Sequence, residues 1–300
     1  MKTVDEYLSH CYSIPETPPA LPLPAEAFAK NWKEAAGKEA LDFLTEIIGR
    51  NNIAFPLKDK NALRFFLKET LGGALPVIVT GNHGDFRNME AVLNGRNELS
   101  DIPVTVNAFT LVARADKISG HRMILLGQAP YSNIPARSIG MEEGEWMEGS
   151  YRLRLAHECA HYEMLRLFGD MQNHALDEIV ADAAGQIAAF GNFSAERQRL
   201  FFGLEHGTGR CTGRLSFYCR SVLPWERETV YRSVDTVLDI IEAEVMRFLT
   251  GKTEPPVPAD ALTDFRSILA DKKVKYELLA LLSGTSIAER IGTSGNKTTV

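Results

Sequence analysis

Residues 154–191 read RLAHECAHYEMLRLFGDMQNHALDEIVADAAGQIAAFG and gather the side chains in the chain best suited to hold a metal ion. His157 and His161 are four positions apart, with Glu158 between them. If 150–168 is helical, positions i and i+4 lie about 40° apart, so both imidazoles project from one side. Two ring nitrogens at that spacing can each approach one ion to about 2.0–2.1 Å. Glu158 sits about 100° round from His157. There it flanks the ion without ligating it and can accept a proton from a water the metal acidifies. HExxH on a helix is a general zinc pattern with these roles. Cys159 lies about 200° from His157 and shares its side with Arg152, Glu163 and Arg166, so it is not placed to ligate. Leu153, Ala160, Met164 and Phe168 flank the histidine side, as on a buried helix face. The plainer reading of the same residues is a pair of core histidines with satisfied hydrogen bonds.

Two histidines are too few for a catalytic zinc, which generally takes three protein ligands and keeps an open position. HALDEIVADAAGQIAAF (174–190) is a second helical pattern, entered after the breaker FGD. It carries Glu178, with Asp182 four residues later on the same face. Glu178 follows His161 by seventeen residues, enough for a helix, a turn and a second helix beside the first.

HExxH followed by ExxxD on the next helix resembles the gluzincin zinc metallopeptidases, the thermolysin-like class. DEIVADAAG is similar to that family's second-helix motif. The resemblance covers residues 154–184, and the ligand spacing is somewhat shorter than in thermolysin. It implies one zinc per chain, held by His157, His161 and Glu178, with Glu158 as general base. It also implies that Asp182 accepts a hydrogen bond from one ligand histidine and that Asp177 does so for the other. Such a carboxylate fixes the tautomer and raises ligand basicity. His174 shares a face with Glu178; an extra ligand, a substrate contact and a plain surface histidine at a helix start are the readings, the last being the blandest.

The implied activity is hydrolysis of a peptide or protein substrate, which could add as a strand to a sheet edge between two lobes. VNAFT (106–110) resembles the edge strand that thermolysin-like enzymes pair with substrate, and the strand at 121–128 serves equally. The class also needs a donor for the oxyanion. His206, Arg210, Arg214 and Tyr218 in GLEHGTGRCTGRLSFYCR (203–220), and Tyr231 beyond it, are the candidates. Two other functions fit the same residues: a zinc-stabilised binding or regulatory protein, and an amide hydrolase acting on a small molecule or modified peptide. The intact Glu158 speaks against the first, because a structural zinc needs no base.

These residues need elements to position them. The chain has 300 residues, 45% of them apolar and 24% charged, enough for one large domain or two lobes. A net charge of −6 argues against a nucleic-acid partner, which demands a basic surface. No apolar run approaches the ~20 residues of a membrane helix, and the N-terminus lacks an apolar leader core. A cytoplasmic protein with no membrane partner is expected. The four cysteines, Cys11, Cys159, Cys211 and Cys219, then read as free thiols.

IPETPPALPLP (14–24) is an extended lead-in with five prolines. Helical spacing covers 25–49 and 60–71, the second closed by Gly72-Gly73. Strands are expected at 75–80, 104–115 and 121–128, the last two as an antiparallel hairpin. GNHG (81–84) reads as a turn with His83 on the surface. Helices resume near Ser150, and 226–249 and 259–282 are long and periodic, joined by TEPPVP. The expected class is α+β: a zincin-like mixed lobe (1–192) with a small antiparallel sheet and both motif helices, a helical lobe (193–283), and a weakly ordered tail (284–300).

Overall fold

The computed structural model describes residues 1–34, 42, 44–46, 57–96, 98–99, 101–252 and 264–295. The class is α+β. The chain divides into two compact units, one formed by Met1–Leu21 with Ile134–Val300, the other by Pro22–Asn133. This division falls elsewhere than the expected boundary at residue 192. The motif helices group with the helical unit, and the sheet has a unit to itself.

The chain opens with α1, Val4–Leu8, started by a Thr3–Glu6 capping box. In the second unit come α2 (Ala29–Glu34), β1 (Arg64–Thr70), β2 (Gly73–Val79), α3 (His83–Leu93), β3 (Ala108–Val112) and β4 (Arg122–Leu126). Much of the helix expected over 25–49 lies outside the described residues. Strand order is β1-β2-β4-β3, with β2 parallel to β4 and the other pairs antiparallel. The sheet is therefore mixed, not antiparallel as expected. A parallel pair needs a crossover, and the stretch holding α3 and β3 supplies it. Trp32, Ile78, Phe86, Leu93, Met123 and Leu125 form its core.

Segment 60–71, expected to be a helix, contains β1. The Gly pair that reads as a helix stop belongs to a hairpin: Thr70 pairs with Gly73, and its hydroxyl donates to the Gly73 carbonyl at 2.6 Å. Gly73 has φ +102°, and a Cβ there would lie 2.8 Å from Ala25 Cα, so only glycine fits. The β3–β4 hairpin forms as expected. β4 has a strand on each side, which removes it as an equal candidate for pairing with an extended peptide; β3 is an end strand. GNHG starts a helix instead of a free turn. Asn82 caps α3 by accepting from the Asp85 N–H at 2.9 Å, and His83 is half-buried with Nε2 3.2 Å from the Ile102 carbonyl oxygen.

The helical unit continues with α4 (Ala136–Ile139), α5 (Glu143–Phe168), α6 (Ala175–Phe190), α7 (Ala195–Phe202), the short antiparallel pair β5 (Leu204–Glu205) and β6 (Arg210–Cys211), α8 (Leu215–Tyr218), α9 (Arg227–Thr250), α10 (Lys272–Ser283) and α11 (Ile287–Gly295). α5 begins seven residues before the expected Ser150. Of the segment read as one helix over 259–282, residues 259–263 lie outside the described residues, Ile268–Ala270 form a 3-10 turn, and the α-helix begins at Lys272, where Asp271 caps the Lys273 and Val274 N–H groups at 2.8 and 3.1 Å. TEPPVP lies outside the described residues. The described part of the tail expected to be weakly ordered, up to residue 295, forms α11, with Ile287 and Arg290 buried and Arg290 Nε 2.9 Å from Glu244 Oε2 on α9.

α5 and α6 carry the motifs and pack closely because Gly185 lacks a side chain. A Cβ at Gly185 would lie 2.8 Å from the Leu153 carbonyl oxygen. Leu153 is about one turn before His157, and Gly185 about one turn after Asp182, so this close approach brings those two side chains within reach. The four cysteines are free, and no described helix is long and apolar enough to cross a membrane.

Candidate metal centre

His157, His161 and Glu178 converge in the helical unit. The two Nε2 atoms are 3.0 Å apart, and Glu178 places Oε1 3.3 Å from His161 Nε2 and Oε2 3.7 Å from His157 Nε2. An ion with tetrahedral bonds of about 2.1 Å spaces its ligands by about 3.4 Å. The three observed separations bracket that value, and two imidazoles with one carboxylate suit zinc. The residues are 5, 7 and 4% exposed, so their charges act on one another with little screening by solvent.

The bonding behind the cluster sets which atoms face inward. Asp182 Oδ1 lies 2.7 Å from His157 Nδ1. A proton on that Nδ1 leaves the Nε2 lone pair turned to the cluster. Asp182 Oδ2 accepts from Gln198 Nε2 at 2.5 Å and from the Arg214 guanidinium. The Gln198 amide is oriented in turn by Gln186 Nε2, which donates to its Oε1 at 2.8 Å, and Gln186 Oε1 takes Arg197 Nε at 3.0 Å. Arg214 also donates to Glu178 Oε2 at 3.1 Å, bridging two carboxylates one turn apart on α6. Asp182 thus lies against His157, and Arg214 serves the carboxylates rather than standing free as an oxyanion donor.

Asp177 does not accept from His161, the other histidine of the cluster. It accepts from the Tyr12 hydroxyl at 2.5 Å and from the Gln172 N–H at 2.7 Å. His161 Nδ1 is buried with no hydrogen-bond partner among the described residues. Burial alone would lower the pKa of His161. The adjoining Glu178, helped by the charges of Glu158 and Asp177, outweighs burial and raises it to about 9. Burial would raise Glu178, but His161, His157 and Arg214 bring it below the usual carboxylate value. Glu158 is buried on α5 between the histidines and is close enough to act electrostatically on His161.

Of the oxyanion-donor candidates, Tyr218 approaches the cluster besides Arg214. Its half-buried phenol is raised well above its ordinary pKa, first by burial and then by the charge of Glu178. Arg210 pairs with Glu205 at 2.7 Å on the surface, and the exposed His206 places Nδ1 2.9 Å from Asp235 Oδ1. Tyr231 is buried toward Cys219 and Cys211, burial and those thiols pushing it up to about 12.

His174 is buried, not a surface residue. It caps α6, its Nδ1 accepting from the Leu176 N–H at 3.0 Å and its Nε2 donating to the Tyr7 carbonyl at 2.9 Å. Burial, with the nearby His10 charge, lowers its pKa to about 3. His10, His174 and Asp177 also lie within 4.8 Å of one another by their ligand atoms. Both nitrogens of His174 are committed to backbone, so that second cluster offers no imidazole lone pair from it.

Sequence reasoning missed Gln198 and the N-terminal tyrosines Tyr7 and Tyr12, which contact the motif helices. Gln198 follows Asp182 by sixteen residues and the tyrosines precede α6 by more than 160, so no local spacing signals them. No curated protein and no solved structure matches the chain. A family model described as a family of unknown function (DUF7005) matches residues 105–248, which include both motif helices, Gln198, Arg214 and Tyr218.

Proposed function

We propose that the protein is a zinc-dependent hydrolase, a metallopeptidase of gluzincin type acting on a peptide or protein substrate. The observation that carries the reading is the convergence of His157 Nε2, His161 Nε2 and Glu178 at separations suited to one tetrahedral ion, with Asp182 behind His157. Zinc held there supplies Lewis acidity and a water that ionises near neutral pH. Glu158 takes the proton of the attacking water and returns it to the leaving amine. Tyr218, beside Glu178, donates to the oxyanion that develops on the scissile carbonyl. Asp182, held by Gln198 and Arg214, keeps the His157 ring in the orientation that aims Nε2 at the ion. A cytoplasmic placement goes with this reading and is supported by the four free thiols.

The test is elemental analysis of the purified protein coupled to an unbiased peptide-library screen. One zinc per chain with cleavage at peptide bonds supports the proposal. No bound zinc removes its basis, and zinc without cleavage turns the reading toward a zinc-stabilised binding protein.

A further inference from the structure

The N-terminal segment, outside the region matched by the family model, contacts two elements of the candidate metal centre. Tyr7 is fully buried, and its hydroxyl sits between two elements of the site. It accepts from the Ala175 N–H at 3.0 Å, the first residue of α6, and donates to the Tyr218 carbonyl at 3.2 Å. The first N–H groups of a helix have no acceptor within it; Tyr7 supplies one for Ala175 as His174 does for Leu176. His174 Nε2 donates in turn to the Tyr7 carbonyl, so Tyr7 is held from both its ends. The Lys2 N–H donates to the Ser221 carbonyl at 2.7 Å, fastening the same segment to the stretch that follows Tyr218.

These contacts form a bridge from α6 to Tyr218. Tyr7 grips the start of α6, and Glu178 lies one turn along it. The same hydroxyl holds the Tyr218 carbonyl, and the Tyr218 phenol lies near enough to Glu178 to feel its charge. We infer that Tyr7 is a positioning residue, which sets the Glu178 carboxylate and the Tyr218 phenol relative to each other. The inference rests on the reading of Glu178 as a metal ligand.

Tyr7→Phe deletes one oxygen and removes both bonds of the bridge, together with the 3.6 Å contact to Cys219 Sγ. Tyr276→Phe is the control, because the Tyr276 hydroxyl is buried with no hydrogen-bond partner among the described residues. Zinc affinity is read by competition with a chromophoric chelator, and ligand geometry by the visible spectrum of the cobalt(II)-loaded protein. Tyr7→Phe is expected to bind zinc about 10–100-fold more weakly, as for other residues that orient metal ligands, and to alter the cobalt spectrum. Tyr276→Phe is expected to change neither.

If Tyr7→Phe melts earlier but keeps wild-type affinity and spectrum, the role is structural only and the inference is overturned. If that variant does not fold, wild-type protein decides. Coupling is reciprocal, so zinc must then slow amide exchange at Ala175 and Lys2, and unchanged exchange at both sinks the inference. Wild type that binds no zinc overturns the metal-centre reading itself, a result separate from either of these.

Discussion

Two clusters of histidine and carboxylate meet at the start of α6, and they use neighbouring residues, Asp177 in one and Glu178 in the other. His157, His161 and Glu178 point ring nitrogens and a carboxylate at a common centre, with Asp182 engaging the far nitrogen of His157. His10, His174 and Asp177 are about as close together. There, the His174 nitrogens bind the Leu176 N–H and the Tyr7 carbonyl, and the Asp177 oxygens accept from Tyr12 and Gln172. The same residue types make a candidate metal centre in one place and a helix cap in the other. What separates them is where each side chain's second polar atom is bonded, which composition does not reveal.

The sharpest way to break this contrast is to exchange the fates of the two adjacent carboxylates. Glu178→Ala should abolish stoichiometric zinc binding while Asp177→Ala keeps one zinc per chain, as read by elemental analysis. Asp177→Ala should instead lower stability by about 2–4 kcal/mol in a denaturant melt, because the buried Tyr12 hydroxyl and Gln172 N–H lose their acceptor. Zinc lost equally from both variants would mean that the clusters are not distinct. Next in size is Asp182→Ala. It removes the group behind His157 and the acceptor of Gln198 and Arg214 but leaves His157, His161 and Glu178 in place, and chelator competition should show zinc affinity about 10–100-fold weaker.

The candidate ligands were legible because their geometry is local. Four-residue spacing places His157 with His161 and Glu178 with Asp182 on helix faces, and helical periodicity marks α5 and α6. Long-range pairing decided what was not legible. NALRFFLKETL has helix-forming residues, yet β1 forms because the Gly72-Gly73 turn folds it onto β2. The sheet becomes mixed because β4 lies parallel to β2 while β3 lies outside it, an order invisible to alternation alone. Arg214 reads as a loose loop cation, and only the fold shows it spanning Glu178 and Asp182, thirty-six and thirty-two residues away. His174 reads as a surface residue because its burial comes from Tyr7, far off in the sequence.

A smaller effect sharpens the capping side of the contrast. The pKa of His174 falls from 6.5 to about 3 on folding, so the unfolded chain binds its proton more readily. Its contribution to stability is complete above pH about 6.5 and is lost as pH falls from there toward about 3. His174→Asn keeps a side-chain acceptor for the Leu176 N–H but does not titrate. Melting temperatures from pH 7 to pH 4 should fall less steeply in the variant than in wild type. Parallel slopes would show that His174 is not held neutral.

The most direct test of the hydrolase reading is the paired measurement of zinc content and peptide cleavage in Glu158→Gln. The substitution keeps size and shape but removes the proton acceptor, and Glu158 is not a ligand in this account. Zinc should remain at one per chain while hydrolysis falls by about 10²–10⁴-fold, the usual worth of a positioned general base. Equal cleavage by wild type and Glu158→Gln, both loaded with zinc, would contradict the assignment of Glu158 as the base and with it the proposed mechanism.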